Sequence, residues 1–480
     1  MSKPMSPGRK GIRRVGISTG GGDAPGLNAV IRAVVLAAHN QGWEAVGIRD
    51  GYNGIFLPDQ YPDGGLIPLT PERVRGITHL GGTIIGTTNA GNPLQYPVKQ
   101  PDGTVAEVDR TDELVLALDA NGIDAVVAVG GDGSLTIANA LAKKGVRIVG
   151  VPKTIDNDLN RTVVTFGFDT AVSFATECID RLHSTAASHR RVMVVEVMGR
   201  YAGWIALNAG VSATADVILI PEVPYDLAPI ADKIQGRYAR GRTFAMVVVA
   251  EGARPKGGGY AVVEKKAGSA ERLGGVGERV AAEIGQATGR DTRVVVLGHL
   301  LRGGSPTTFD RLISLRFGAA AVRALASGKT GVMVALDPPK VRYVPLAEAT
   351  ERMKLVPLDC DTILTARELG ICLGDQGAYA SSSPAPFPAP ASSPRTRPAW
   401  TASRRSYASG VSRRGPEAAR RRCAATASRA SSSPGSGSRG CSIPRRPSSR
   451  SAPSPGSLST RARLPRPGSS AGSGACVAAR

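Results

Sequence analysis

Three times before residue 160 the chain runs a short apolar stretch straight into a loop of glycines or carboxylates. The first runs from Arg14 to Thr19, then Gly20-Gly21-Gly22-Asp23-Ala24-Pro25-Gly26, then a helix from about Leu27 to Gln41 with Val30, Val34, Ala37 and Ala38 at helical spacing. The second is Ala125 to Val129, followed by Gly130-Gly131-Asp132-Gly133-Ser134 and a helix to Lys144. The third is Val146 to Val151, closed by Pro152 and followed by Lys153-Thr154-Ile155-Asp156-Asn157-Asp158-Leu159. Short apolar strands alternating with helices belong in a mostly parallel sheet covered on both faces. Loops leaving such strands gather at one edge, where open α/β sheets bind ligands.

The loops carry the chemistry. Glycines let a phosphate approach the backbone, and a helix N-terminus offers unpaired N–H groups and a positive dipole end. The first loop lacks the Gly-Lys-Ser/Thr ending of a P-loop and does not match G-x-G-x-x-G, so alone it can equally turn a corner. Asp156 and Asp158 stand two apart, a spacing that puts both on one face of an extended or turning segment. Such a pair suits phosphoryl transfer, one acid holding Mg²⁺ and the other taking a proton. The plain alternative is an Asp/Asn-rich turn.

The pattern continues to Asp375. A strand at Glu44 to Ile48 leads to Asp50-Gly51-Tyr52-Asn53-Gly54, and Leu80 to Asn89 forms a further loop rich in glycine and hydroxyls. Residues 91–109 read as a polar surface excursion before a helix from Arg110 to Ala120. An amphipathic helix spans Thr170 to Ser188, and the strand Arg191 to Val197 delivers Met198-Gly199-Arg200. Strands at Val217–Ile220 and Phe244–Ala250 end at Glu222 and Glu251, and Arg293–Leu297 ends at Gly298-His299-Leu300-Leu301-Arg302. The chain length predicts two such sheets.

Charge divides the chain. Beyond Gln376 there are 18 arginines, no lysine and a single acid, Glu417, so this stretch carries most of the net charge of +21 and the body is close to neutral. The same stretch is Ser, Pro, Arg, Ala and Gly without apolar periodicity, which predicts disorder over 376–480. Arginine without lysine in this company is what GC-rich DNA encodes in a wrong frame, and we favour that origin over a basic nucleic-acid-binding or interaction tail. Six scattered cysteines without CxxC spacing fit a reducing cytoplasm and no cysteine metal site. The basic N-terminus lacks the apolar stretch of a secretory signal, and no apolar run approaches the roughly 18 residues of a membrane span.

Taken together, TGGGDAPGLNAVIR, GGDGS, PKTIDND, GFDTA, SHRRVMVVEVMGRYAGW, PE, AEG and GHLLRGGSPTTFDR occur in the order of the phosphofructokinase A family, which the chain resembles from about Arg14 to Asp375. Lipid and NAD kinases share the GGDG loop but lack the TIDND, MGR and GHLLRGG set. The resemblance implies phosphoryl transfer to the 1-hydroxyl of fructose 6-phosphate in cytoplasmic glycolysis. It implies a donor domain over 12–166 with about 300–345, and a sugar-phosphate domain over 167–299 with about 346–375.

By the family pattern Asp156 is the general base, Arg200 lies beside the moving phosphoryl group, and Thr154 and Lys153 complete the catalytic set. Gly22, at the head of the first helix, gives a backbone donor to the phosphates. Gly131, Asp132, Gly133, Ser134 and Asn89 bind the donor, and Asp132 and Asp158 hold Mg²⁺. Thr154, Asp156 and Arg200 also face the sugar, with Arg191, Arg293, His299 and Arg302 on its phosphate and Glu251, Met198 and Gly199 along it. Residues like Arg191 and Arg293 reach across a subunit interface in the family, implying a homotetramer or homodimer; no nucleic acid or membrane partner is implied. Gly133 goes with ATP and Lys153 with pyrophosphate, a combination resembling the branch that contains both donor types; ATP is favoured. Asn89-Ala90 stand where a bridging cation is common, and Ile137 replaces a small residue of the nucleotide loop. Arg32 matches one effector-site arginine, whereas Leu36 stands where a second would be.

Overall fold

The computed structural model describes residues 11–260, 262–264 and 272–376, all within one compact unit. The predicted disordered tail over 376–480 lies outside the described residues, save Gln376.

The fold is α/β with two mostly parallel sheets. The larger has seven strands in the spatial order Lys340–Pro345, Val332–Asp337, Ile148–Pro152, Ala125–Gly130, Arg14–Thr19, Glu44–Ile48 and Leu66–Leu69. Its five inner strands are parallel, and the outermost strand on each side is antiparallel to its neighbour. Ala125–Gly130 and Ile148–Pro152 are buried along their whole length, which explains their unbroken apolar sequence. Helices Leu27–Asn40 and Thr308–Ala326 cover one face, with Phe166 and Phe317 in the packing between. Helices Thr111–Ala120 and Asp132–Lys143 cover the other.

The second sheet orders Thr292–Val296, Val192–Val197, Ala245–Ala250 and Val217–Leu219, all parallel. Helices Phe168–His189 and Trp204–Ser212 cover one face, and Leu227–Ala239 and Val276–Thr288 the other. The chain returns between strands Val332–Asp337 and Val217–Leu219 through residues 346–373, ending on the second sheet, where the Ile218 N–H donates to the Cys372 carbonyl (2.9 Å).

Register brings the three loops together. Gly130 pairs with Pro152 as the last rung between their strands, and the N–H of Lys153 still donates to the Gly130 carbonyl (2.9 Å). From the other side the Gly20 N–H donates to the Val129 carbonyl (3.0 Å).

Two expectations are corrected and a third is refined. Gly22 is not at the head of the first helix, which begins at Leu27 after a left-handed Gly26 (φ 111°). Pro25 keeps the residue before it out of helical conformation, so the loop stays open through Gly22. The GGDGS segment is not all loop: the helix starts at Asp132, so Asp132, Gly133 and Ser134 form its first turn, with an acid where the dipole favours one. The surface excursion over 91–109 is an antiparallel hairpin of Tyr96–Lys99 and Val105–Val108, with no buried residue in either strand. The Arg110 guanidinium, 4.3 Å from the Phe56 ring and 4.4 Å from the Tyr96 ring, anchors it to the body.

Candidate active site

A cavity of about 640 Å³ opens where the loops of the first sheet face those of the second. Gly22, Asn89, Gly131, Asp132, Gly133, Ser134, Lys153, Thr154, Asp156, Asp158, Arg200 and Arg302 all line it. Here the predicted donor, acid and catalytic positions converge.

Gly20 and Gly22 leave no room for a side chain. A Cβ on Gly20 would stand 2.6 Å from the Ser134 hydroxyl, and one on Gly22 would stand 2.6 Å from an Arg302 nitrogen. Side chains at either position would push the second strand–loop unit, or the arginine, out of the cavity. Gly133 differs, for a Cβ there meets nothing within 4 Å.

Asp132, Asp156 and Asp158 share this space with Lys153, Arg200 and Arg302. Lys153 is buried at 3 % exposure and its ammonium donates to the Gly22 carbonyl. Burial brings it down to about 8, with the Arg302 guanidinium adding to that and Asp23, Asp156 and Asp158 opposing it. Arg302 arrives on the turn Gly298–Arg302 that follows the edge strand of the second sheet, and it donates to the Asp23 carbonyl (3.2 Å). It therefore lies over the first glycine loop. Arg200 follows the neighbouring strand of the second sheet, its guanidinium 5.6 Å from the Tyr201 ring.

Asp156 and Asp158 each have a carboxyl oxygen, Oδ1, that is buried without a hydrogen-bond partner among the described residues. Burial, and then the Asp158 charge, pushes Asp156 up to about 6, against the pull of Arg302, Arg200 and Lys153. Burial also raises Asp158 and, with the Asp158 charge added, Asp132. Asp132 and Asp158 fit a divalent cation: hard oxygen donors, mutually repelling, one with an unsatisfied buried oxygen. Among the described residues no group of three or more His, Cys, Asp or Glu gathers as a metal site, so water and donor oxygens would complete the coordination.

The remaining predicted residues lie outside the lining. Glu251 is closest in effect: burial first, and then the Asp156 charge, push it up to about 7. Met198 is buried beneath the Arg200 loop, and Gly199 is in positive φ (142°), its carbonyl accepting from the Gly252 N–H (3.1 Å). Arg191 and Arg293 do not reach the cavity of their own chain; both ion-pair with Asp291, Arg191 at 3.2 Å. His299 is exposed on the turn before Arg302. The effector-type Arg32 donates to the Val74 carbonyl (2.8 Å).

Sequence reasoning passed over Tyr52, Gln95 and Glu107, which also line the cavity. Only Tyr52 had a local signal, its glycine-rich turn; Gln95 and Glu107 enter through the hairpin.

Residues 14–325 match the family described as Phosphofructokinase. The chain belongs to the phosphofructokinase family. A relative from Chloroflexus aggregans named ATP-dependent 6-phosphofructokinase is 50% identical over 364 residues, covering 76% of this chain and 98% of the relative. One from Amycolatopsis methanolica named pyrophosphate–fructose 6-phosphate 1-phosphotransferase is 48% identical over 349 residues, covering 72% of this chain and 96% of the relative. The T-state Pichia pastoris phosphofructokinase structure superimposes with TM-score 0.60 at 32% identity, covering 72% of this chain and 36% of that one. A Nitrosospira multiformis structure, titled pyrophosphate-dependent phosphofructokinase, has TM-score 0.62 at 22% identity, covering 76% and 93%, and supports the fold alone.

Proposed function

We infer that this phosphofructokinase transfers the terminal phosphoryl group of ATP to the 1-hydroxyl of fructose 6-phosphate, giving fructose 1,6-bisphosphate in glycolysis. The convergence of Asp156 with Lys153, Arg200 and Arg302 around one cavity carries the reading. We propose a cytoplasmic setting from the glycolytic role; no helix among the described residues is long and apolar enough to cross a membrane.

Asp156 takes the proton of the 1-hydroxyl. Raised to about 6, its carboxylate is ionised at neutral pH yet more basic than an ordinary aspartate. Arg200 and Arg302, held at the mouths of second-sheet strands, and Lys153 from the first sheet place fixed positive charge around the moving phosphoryl group, where charge spreads in the transition state. Thr154, whose hydroxyl accepts from the Asp156 N–H (3.1 Å), fixes the start of the acid turn. Asp132 and Asp158 would hold Mg²⁺, which neutralises donor-phosphate charge when bound.

For the donor, Gly133 leaves open space, and a cavity of about 640 Å³, lined also by Tyr52, Gln95 and Glu107, has room for more than pyrophosphate. The second reading is pyrophosphate, favoured by Lys153, whose ammonium lies 3.5 Å from a Cβ position on Gly21 in the phosphate-side loop. Relatives of both names at 48–50% identity fit the branch containing both donor types.

Residues 12–166 with about 300–345 are the donor domain in this reading, and 167–299 with about 346–375 the sugar-phosphate domain. Arg191 and Arg293, turned away from their own cavity, serve a neighbouring subunit's sugar phosphate in a homotetramer or homodimer. Formation of fructose 1,6-bisphosphate from fructose 6-phosphate and Mg²⁺, with ATP and pyrophosphate in parallel, tests the reading. ATP-supported turnover is expected; pyrophosphate-only turnover overturns the donor, and none with either overturns the function.

A further inference from the structure

The acid turn is braced from behind by a segment almost two hundred residues away in sequence. Asn157, between the two carboxylates, sits in the left-handed region (φ 53°) and is buried at 4% exposure. Its side-chain oxygen accepts from the Thr165 N–H (3.1 Å) and from the ammonium of Lys354 (2.8 Å). The same ammonium donates to the carbonyls of Thr162 (3.1 Å) and Val163 (3.1 Å), which uses all three of its hydrogens. The Lys354 backbone joins in: its N–H donates to the Asp158 carbonyl (2.8 Å), and Leu159 and Met353 form an antiparallel bridge.

The brace extends to the opposite side of the cavity. The Trp204 indole N–H donates to the Lys354 carbonyl (3.0 Å), and the Trp204 ring lies 5.6 Å from the ammonium. Two residues on, the Val356 N–H donates to Glu222 (2.9 Å), which also accepts from the Gly203 N–H (3.0 Å). Residues 353–356 thus connect the turn bearing Asp156 and Asp158 to the loop bearing Arg200.

We propose that Lys354 is a positioning residue for phosphoryl transfer: by pinning the Asn157 side chain behind the turn, it keeps both flanking carboxylates on the cavity side. Asn157 is the hinge of the argument. Neighbouring side chains cannot all face one way, so fixing the middle one at the back directs Asp156 and Asp158 forward, where both line the cavity. A left-handed non-glycine residue persists only where its surroundings over-determine it, and the Thr165 and Lys354 bonds do so here. Lys354 also sets a positive charge beside buried Asp158, complementing Lys153 on the cavity side. Lys354 does not line the cavity, so its effect passes through Asn157 and Asp158.

The inference rests on the phosphoryl-transfer reading above. Lys354→Met, Lys354→Arg and Asn157→Ala are compared with the parent full chain for kcat, for KM of fructose 6-phosphate and donor, and for thermal melting. Lys354→Met is expected to lower kcat at least roughly tenfold, with each KM within about threefold, because misplacing reacting groups by a fraction of an ångström acts on the chemical step. Asn157→Ala removes the same link and is expected to do the same even if the methionine variant does not fold. The double variant is expected to lose little more than either single one, whereas independent packing effects add. Lys354→Arg is expected to recover part of kcat. A parent-like kcat in folded Lys354→Met or Asn157→Ala, or a loss seen only in KM, overturns the brace. Absence of turnover in the parent itself overturns the underlying function instead.

Discussion

The ammonium of Lys153 donates to the carbonyl oxygen of Gly22, binding the end of one strand of the first sheet to the glycine loop of another. This contact ties the acid turn to the first glycine loop, which would let Lys153 act on both substrates of the proposed reaction. Lys153→Met is expected to reduce ATP-supported kcat by roughly 10- to 100-fold and to reduce pyrophosphate-supported turnover further, since a short donor depends more on one fixed charge. Steady-state rates with the two donors check this; equal losses would remove Lys153 from donor choice.

Gly133 faces open space in the first turn of its helix. Gly133→Asp puts a carboxylate into the donor end of the cavity and also complements the helix dipole, so stability is expected to stay within roughly 0.5 kcal/mol. The KM for ATP is expected to rise at least about tenfold by charge repulsion with the phosphates. Nucleotide titrations and thermal melts on the same samples separate the two effects.

Asp156 predicts opposite changes in activity and stability. Burial and Asp158 push its carboxyl up to about 6, above the unfolded value, so the folded state holds the proton more tightly. Ionisation therefore disfavours the fold increasingly as pH rises from about 4 to above 6. Asp156→Asn is expected to gain stability on the order of 1–3 kcal/mol at pH 7.5 and little at pH 4. Its kcat is expected to fall by roughly 10²- to 10⁴-fold. In the parent, kcat/KM is expected to decline as pH drops through about 6, when the base takes up its proton.

Arg293 pairs with Asp291 rather than with its own cavity. Arg293→Ala is expected to raise the KM for fructose 6-phosphate at least about tenfold while leaving kcat within a fewfold, the signature of lost substrate binding. Mixed oligomers of Arg293→Ala and Asp156→Asn subunits are expected to regain activity, because some sites would combine an intact base with an intact arginine. No regain after subunit exchange would place Arg293 outside the site.

Much of the site was legible because it is made of contiguous turns. Gly20 to Gly22, Gly131 to Ser134 and Lys153 to Asp158 each announce themselves by composition, and parallel pairing of their strands carries them to one edge. Gly22 and the GGDGS segment were misplaced relative to their helices, since helix starts depend on local φ and capping that composition only brackets. The hairpin over Tyr96 to Val108 was missed because its strands are only four residues long, one carries Pro97, and its apolar face, Tyr96 and Val98 opposite Val108 and Ala106, exists only once the two strands pair.

The sequence by itself determined the alternating α/β order, the glycine loops after the strands and the carboxylate pair, because periodicity and turn chemistry act over a few residues. Tertiary structure alone decided that Arg302 lies over Gly22, that Arg191 and Arg293 turn to Asp291, and that Lys354 pins Asn157. Those contacts join residues far apart in the chain. They depend on how two sheets and the returning segment pack, which local preferences do not encode.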